Sequence, residues 1–100
     1  MRPNTVGQNA FPKVARVAFL WNPGNASNVV GLKETEGAAR ALGVQLIPLE
    51  VRRVNDLETA FQGALRSRAQ ALMAIGDSVV LINRARIVEF AAKNRLTVIE

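Results

Sequence analysis

Short apolar runs recur along the chain, and most are followed by residues that favour turns. The runs are five to eight residues long, are rich in Val, Ile and Leu, and carry few charges. A continuous apolar run of this length is typical of a strand that is covered on both faces of a sheet. We therefore predict four strands, at 14–21 (VARVAFLW), 44–51 (VQLIPLEV), 71–75 (ALMAI) and 96–100 (LTVIE).

The segment between the first two strands predicts a helix over 28–42. Asn25 and Ser27 are its N-cap candidates, because each side chain can accept a hydrogen bond from a backbone N–H of the first turn. Gly43 stands just after the last turn, where a left-handed residue commonly ends a helix. A stripe at helical spacing predicts the side that lies close to the sheet, namely Gly31, Thr35, Ala38 and Leu42.

The residues after the second strand predict another helix. Asn55 and Glu58 have the spacing of a capping box, in which two side chains bond to each other's backbone N–H groups at the start of a helix. The apolar residues that follow keep helical spacing, namely Leu57, Ala60, Phe61, Ala64 and Leu65.

The segment after the third strand is compatible with two structures. Gly76 and Asp77 can form a tight hairpin turn between ALMAI and SVVLI. Alternatively, Asp77 caps a helix that runs to about Asn94, with Ile87 and Phe90 on one face. A hairpin would leave the basic segment NRAR (83–86) outside any strand or helix, so we favour the helix.

The order of elements predicts an α/β fold, β-α-β-α-β-α-β, with three Rossmann-like layers. Short connections between alternating strands and helices give a parallel sheet with right-handed crossovers and helices on both faces. We expect the strand order 2-1-3-4, which places Pro48 at an edge, where its missing N–H is tolerated. Residues 1–12 are expected to form a flexible leader, and residues 13–100 a single lobe.

Composition excludes several classes of function. The sequence has 100 residues with no Cys and no His, which excludes disulfides, thiol catalysis and imidazole bases. We predict no metal and no cofactor. A net charge of +5 and a pI near 11.1 are compatible with nucleic-acid binding. The cations occur singly or in pairs without interleaved aromatic residues, so we expect no nucleic-acid partner.

Candidate binding residues follow the first and third strands, in the segments 22–28 and 76–78. In a parallel sheet these positions meet at the carboxyl ends of the strands, where ligands bind. Helix N-termini there favour the anionic end of a small molecule, and a carboxylate favours a cationic end. A purely structural turn explains segment 22–28 equally well. The candidates are Asn22, Asn25, Ser27, Asn28, Asp77 and Ser78, and they form no catalytic set.

Four stretches together resemble the substrate-binding proteins of ABC transporters. They are FPKVARVAFLWNPGNAS, LKETEGAARALGVQLIPLEVR, DLETAFQGALRSRAQALMAIGD and RARIVEFAAKNRLTVI, and they cover the chain from about Phe11 to its end. The resemblance is to members of the tryptophan- and tyrosine-binding type, which have a type I periplasmic-binding fold. It implies two lobes that close on a ligand, of which this sequence matches only the second.

The same resemblance implies a non-enzymatic protein that binds an amino acid-like solute and delivers it to an ABC permease. The family implies a periplasmic or extracellular location. We recognise no signal peptide, so a complete gene product of this sequence would be cytoplasmic. An alternative is a truncated remnant or regulatory module that acts through protein contacts without its own ligand. A homodimer is also possible, because the fourth strand would form an open sheet edge beside Ile87, Val88 and Phe90.

Overall fold

A computed structural model describes residues 14–99. The expected leader, residues 1–12, lies outside the described residues, as does Glu100. Four strands alternate with helices in the predicted order, and the last helical segment is divided in two. The elements are β1 (Arg16–Trp21), α1 (Ala26–Leu42), β2 (Gln45–Glu50), α2 (Asp56–Arg66), β3 (Ala71–Ala74), α3 (Ser78–Ile82), α4 (Arg84–Lys93) and β4 (Thr97–Ile99).

The four strands form one parallel sheet in the order β2-β1-β3-β4, which confirms the predicted topology. In the central strand β1, Leu20 lies opposite Leu49 on β2 and Ala74 on β3. Pro48 lies on β2, an edge strand, as its missing N–H predicts. The hairpin alternative after β3 is excluded, because Ser78 begins a helix and the next strand runs parallel to β3.

Each face of the sheet is covered by helices. Alternation along β1 points Ala18 and Leu20 to the face that carries the largest buried cluster. On that face α2 supplies Phe61, whose ring stacks on Phe90 of α4 with centroids 4.1 Å apart and planes 6° from parallel. Helix α1 covers the other face, towards which Phe19 points and is fully buried.

Helix α1 ends as predicted, but only part of the predicted stripe faces the sheet. Asn25 is its N-cap, with the side chain accepting from the N–H of Ser27, and Gly43 ends it with a left-handed φ of 72°. The predicted stripe is wrong at Ala38, which is exposed, and at Leu42, which is 72% exposed. The buried residues of the helix are Asn28, Leu32 and Ala39, so these side chains define its sheet-facing side.

The predicted capping box at the start of α2 is wrong. Asn55 has a helical backbone and makes no side-chain cap hydrogen bond. The carboxylate of Asp56 caps the preceding turn instead, accepting from the backbone N–H groups of Arg52 at 2.9 Å and Arg53 at 3.3 Å. Glu58 pairs with Arg86 of α4 at 3.1 Å. Neither member of the predicted box therefore caps α2, and the Asp56 carboxylate instead holds the turn before it.

The helix predicted after Asp77 is broken at Asn83. Asn83 has φ −105° and ψ 19°, and its side-chain amide donates to the carbonyl of Val79 at 2.8 Å. The backbone N–H of Asn83 donates to the same carbonyl at 3.1 Å, so the ladder continues to this residue and the helix is interrupted by the non-helical backbone of Asn83. Leu81 and Ile82 are exposed at the end of α3. Across residues 14–99, no helix combines the length and apolarity that crossing a membrane requires.

We expect Gly37→Ala to raise the free energy of unfolding by about 0.5–1 kcal/mol. Gly37 is exposed within α1, and a Cβ built there meets no atom within 4 Å. Alanine therefore gains helix propensity without a clash. Gly43→Ala is the matched control and should destabilise, because the φ of 72° at Gly43 is unfavourable for a residue with a Cβ. Urea unfolding measures both changes, and stabilisation of both variants would contradict the assignment of Gly43 as the helix end.

Candidate functional site

The carboxylate of Asp77 is the centre of a polar cluster at the carboxyl ends of β1 and β3. Asp77 directly follows the β3 loop and is only 8% exposed. Its side chain caps α3 by accepting from the N–H of Val79 at 3.1 Å. It also accepts from the amide of Asn25 at 2.9 Å and, more weakly, from that of Asn22 at 3.3 and 3.4 Å. The segments that follow two different strands are thus joined at one carboxylate.

Asn28 makes the second bridge between the same segments. Its side chain is 1% exposed and points inward from the first turn of α1. The amide nitrogen donates to the carbonyl of Gly76 at 3.0 Å, and the amide oxygen accepts from the backbone N–H of Asn22 at 3.0 Å. Both polar atoms of this buried amide are therefore satisfied within the chain, as burial requires.

The turn between β1 and α1 is built from the side chains of Asn22 and Asn25. The Asn22 side-chain oxygen accepts from the N–H of Gly24 at 2.8 Å, and the Asn25 oxygen accepts from the N–H of Ser27 at 3.0 Å. Each asparagine thus holds the local backbone with its oxygen and reaches Asp77 with its nitrogen. These bonds account for the shape of the turn, and they make Asn25, not Ser27, the N-cap of α1.

Hydrogen bonds favour the ionised form of Asp77. The amide of Asn25 lowers the pKa of this carboxyl below its ordinary value, burial opposes that change, and the bonds from Val79 and Asn22 add to the lowering. The groups that donate hydrogen bonds to the Asp77 carboxylate are two side-chain amides and one backbone N–H, and all of them are neutral. A negative charge is thus held at the end of the sheet without a cation bonded to it among residues 14–99.

The two serines lie at the rim of the cluster. Ser27 is exposed in the first turn of α1, and Ser78 is exposed at the start of α3. Trp21 is half-buried directly before Asn22, and its indole nitrogen is buried without a hydrogen-bond partner among residues 14–99. The structure therefore brings together Asn22, Asn25, Asn28 and Asp77 and leaves Ser27 and Ser78 open to solvent.

An apolar cavity of about 190 Å³ adjoins this cluster at Gly76. It lies between β3, β4, α3 and α4. The sequence does not predict this cavity, since its pattern indicates one continuous helix after Asp77. Residues of both strands and both helices line it, among them Leu72, Ile75, Val80, Ile87 and Val98.

The cluster lacks the groups that common catalytic mechanisms require. The described residues hold one buried carboxylate here, and neutral amides surround it. Within residues 14–99 no group of three potential ligands among Asp, Glu, Cys and His could hold a metal ion. A carboxylate, amide groups and an apolar cavity instead lie side by side at this end of the sheet.

Solved structures share this fold at low sequence identity. A substrate-binding protein with adhesive properties from Clostridium difficile, in a ligand-free open state, matches with a TM-score of 0.80 and 15% identity over 91% of this chain and 31% of its own. An ABC domain in complex with L-Trp from Streptococcus pneumonia matches with a TM-score of 0.77 and 14% identity over 88% of this chain and 30% of its own.

A conserved domain protein from Vibrio cholerae matches with a TM-score of 0.73 and 22% identity over 95% of this chain and 32% of its own. The chain thus spans about a third of the length of these solved structures. A comparison with curated proteins finds no match. The family model for ABC transporter substrate-binding proteins matches residues 5–100, which is nearly the whole sequence. The chain belongs to the ABC transporter substrate-binding protein family.

Proposed function

We propose that this chain is a solute-binding lobe that takes an amino acid-like molecule at the carboxyl ends of β1 and β3. The observation that carries the proposal is the ionised Asp77 carboxylate, held by asparagine amides at this end of the sheet. Family membership supplies the class of function. We infer that the lobe binds its solute without chemical conversion and belongs to a periplasmic or extracellular protein that delivers it to an ABC permease.

The cluster offers complementary groups for the two charges of an amino acid. The carboxylate of Asp77 is the partner for an ammonium group, since its present donors are neutral. The first turn of α1, with the exposed hydroxyl of Ser27, is the partner for a carboxylate, because backbone N–H groups at a helix start carry partial positive charge. Asn25 lies between them and bonds to both segments.

The remaining candidates have supporting or peripheral roles in this proposal. Asn22 and Asn28 hold the two segments together, and Asn28 is too buried to be a solute contact without rearrangement. Ser78 is the first residue of α3. The apolar cavity next to Gly76 suits the side chain of an aromatic or branched amino acid, because its lining is almost wholly aliphatic.

We expect weak but selective binding by the chain alone. One lobe buries only one side of a solute, so the dissociation constant should be about 1 mM or weaker, corresponding to about −4 kcal/mol. Trp21 is the only tryptophan and directly precedes the cluster, so its fluorescence reports occupancy. The natural panel is L-leucine and L-phenylalanine, each compared with its decarboxylated amine and its deaminated acid. We expect only the complete amino acids to bind measurably.

Two variants with the same change in charge locate the site. Asp77→Asn should abolish the fluorescence response, because the amide that replaces the carboxylate has no charge for an ammonium group. Glu89→Gln removes a carboxylate from the exposed surface of α4 and should leave the response unchanged. Equal responses from wild type and Asp77→Asn would contradict the assignment, as would binding of amines and acids as strong as that of amino acids.

We also propose that two copies associate weakly through the β4 edge. β4 is an edge strand of the sheet that residues 14–99 form, and exposed Leu81 and Ile82 lie on the neighbouring α3. Helix α4 exposes less apolar surface beside this edge than the sequence predicted. Ile87 is only 4% exposed, and Phe90 stacks on Phe61.

Thr97→Lys is expected to abolish association at this edge. Thr97 is exposed on β4, whereas Val98 packs against the core cluster and its replacement would disturb folding. A lysine at the edge opposes strand pairing between copies. Light scattering during gel filtration measures the mass, and Thr59→Lys, an exposed position on α2, is the matched control. A mass near 10.8 kDa for the wild type would contradict the dimer.

A further inference from the structure

Cationic side chains gather at the end of the sheet opposite the Asp77 cluster. In a parallel sheet with helical crossovers, the strands begin and the helices end at the same edge, which we call the amino edge. Three helices place a cation in the last turn, and three further cations lie at or before the starts of strands. The amino-edge cations are Arg16, Arg40, Arg66, Arg68, Lys93 and Arg95.

The carboxylates are distributed in the opposite sense. Four lie at the carboxyl end of the sheet or in the first turn of a helix there, and the others within residues 14–99 lie in the middle of α1 and α4. The four are Glu50, Asp56, Glu58 and Asp77. The amino edge is therefore strongly positive.

Helix ends explain only part of this charge. Arg40, Arg66 and Lys93 lie in last turns, where cations offset the helix dipole. Arg68 and Arg95 lie in the loops before β3 and β4 with left-handed φ values of 57° and 59°. Such a backbone favours glycine or asparagine, so local conformation gives no reason for arginine at either position.

We propose that the amino edge docks on an anionic lipid surface. The six cations span the full width of a four-stranded sheet, which matches a diffuse layer of headgroup charge. The aromatic side chains of the described residues lie elsewhere: Phe19 is in the core, Trp21 is at the carboxyl end, and Phe61 stacks on Phe90. Without aromatic groups for base stacking, a lipid surface fits this edge better than a nucleic acid.

This orientation separates two functions of the lobe. β1 has six residues, so the amino edge and the Asp77 cluster are about 20 Å apart. Docking through the amino edge would hold the lobe at the bilayer and leave the carboxyl ends of the strands facing the aqueous phase. The docking inference does not depend on the proposed solute, because none of its residues belongs to the Asp77 cluster.

Sedimentation with vesicles tests the proposal on the complete chain. We expect binding to vesicles of phosphatidylcholine mixed with phosphatidylglycerol, loss of binding at high salt, and no binding to pure phosphatidylcholine. The double variant Arg68→Asn/Arg95→Asn should bind about thirtyfold more weakly, since each cation near an anionic surface contributes about a factor of five. Asparagine tolerates the left-handed backbone, so thermal unfolding should show that this variant remains folded.

The control removes the same charge from the other end of the sheet. Arg52→Gln/Arg53→Gln changes two exposed arginines that follow β2 and should weaken vesicle binding less than about threefold. Equal loss in both double variants would mean that only net charge matters and would overturn the proposal. Tight binding of single-stranded DNA without binding to anionic vesicles would overturn it in favour of a nucleic acid.

Discussion

Phe61→Ala is expected to lower the free energy of unfolding by about 3–5 kcal/mol, enough to unfold much of a domain of this size. Phe61 is 5% exposed and lies in the main buried cluster between α2 and the sheet. Its ring stacks on Phe90, and the guanidinium of Arg86 lies 6.0 Å from its centroid. Alanine would remove all of these contacts and leave a cavity. Urea unfolding monitored by circular dichroism measures the loss.

A double-mutant cycle separates the ring pair from simple burial. Phe61→Leu and Phe90→Leu keep apolar volume, so each alone should cost less than Phe61→Ala. The coupling energy between the two positions should be about 0.5–1.5 kcal/mol if the stacked rings interact beyond their buried area. Additive effects would show that the pair contributes only through burial and would contradict a specific stacking interaction between α2 and α4.

The arrangement of strands could be predicted because several local signals agreed. Apolar runs, short connections and the alternation of elements leave few topologies for a parallel sheet, and Pro48 selects an edge for β2. The prediction of a helix rather than a hairpin after Asp77 followed from the same pattern. Helix faces were less predictable, since Gly31 does approach β3 but Ala38 and Leu42 do not. A Cβ on Gly31 would lie 2.9 Å from Ile75. Spacing alone does not reveal which of several possible stripes packs best.

Side-chain competition explains the other differences. Asp56 accepts from two backbone N–H groups of the turn before α2, whereas Asn55, the predicted N-cap of α2, makes no side-chain cap bond. The predicted helix is interrupted at Asn83, which has a non-helical backbone and donates to the carbonyl of Val79 with both its backbone N–H and its side-chain amide. Both outcomes depend on the rotamer of a short polar side chain. Such choices are decided by tertiary neighbours rather than by sequence spacing.

For the candidate site, the sequence predicted the location but not the internal bonding. The segments after β1 and β3 had to meet once the strand order was known. The sequence does not show that the amides of Asn22 and Asn25 both converge on Asp77, or that Asn28 is buried. Those facts depend on the approach of two loops that are about fifty residues apart in sequence.

Asp77→Ala is expected to destabilise the fold by about 2–4 kcal/mol, because it leaves several partly buried donors without their acceptor. The donors are the side-chain amides of Asn22 and Asn25 and the backbone N–H of Val79. Asp77→Asn should cost less, because its oxygen can still accept one of these bonds. Asn25→Ala together with Asp77→Ala should cost clearly less than the sum of the two single changes. Additive losses would contradict the network.

Protonation of Asp77 should produce the same effect through pH. The pKa of Asp77 is lowered in the folded chain, chiefly by the amide of Asn25, so the carboxylate stabilises the fold above its unfolded pKa, about 3.9. That contribution is lost as pH falls from there towards the lower folded pKa. The difference in unfolding free energy between wild type and Asp77→Asn should therefore be constant from pH 7 to about 5 and shrink below about pH 4. A difference that grew on acidification would require the pKa of Asp77 to be raised in the folded state, and would show that burial outweighs its hydrogen bonds.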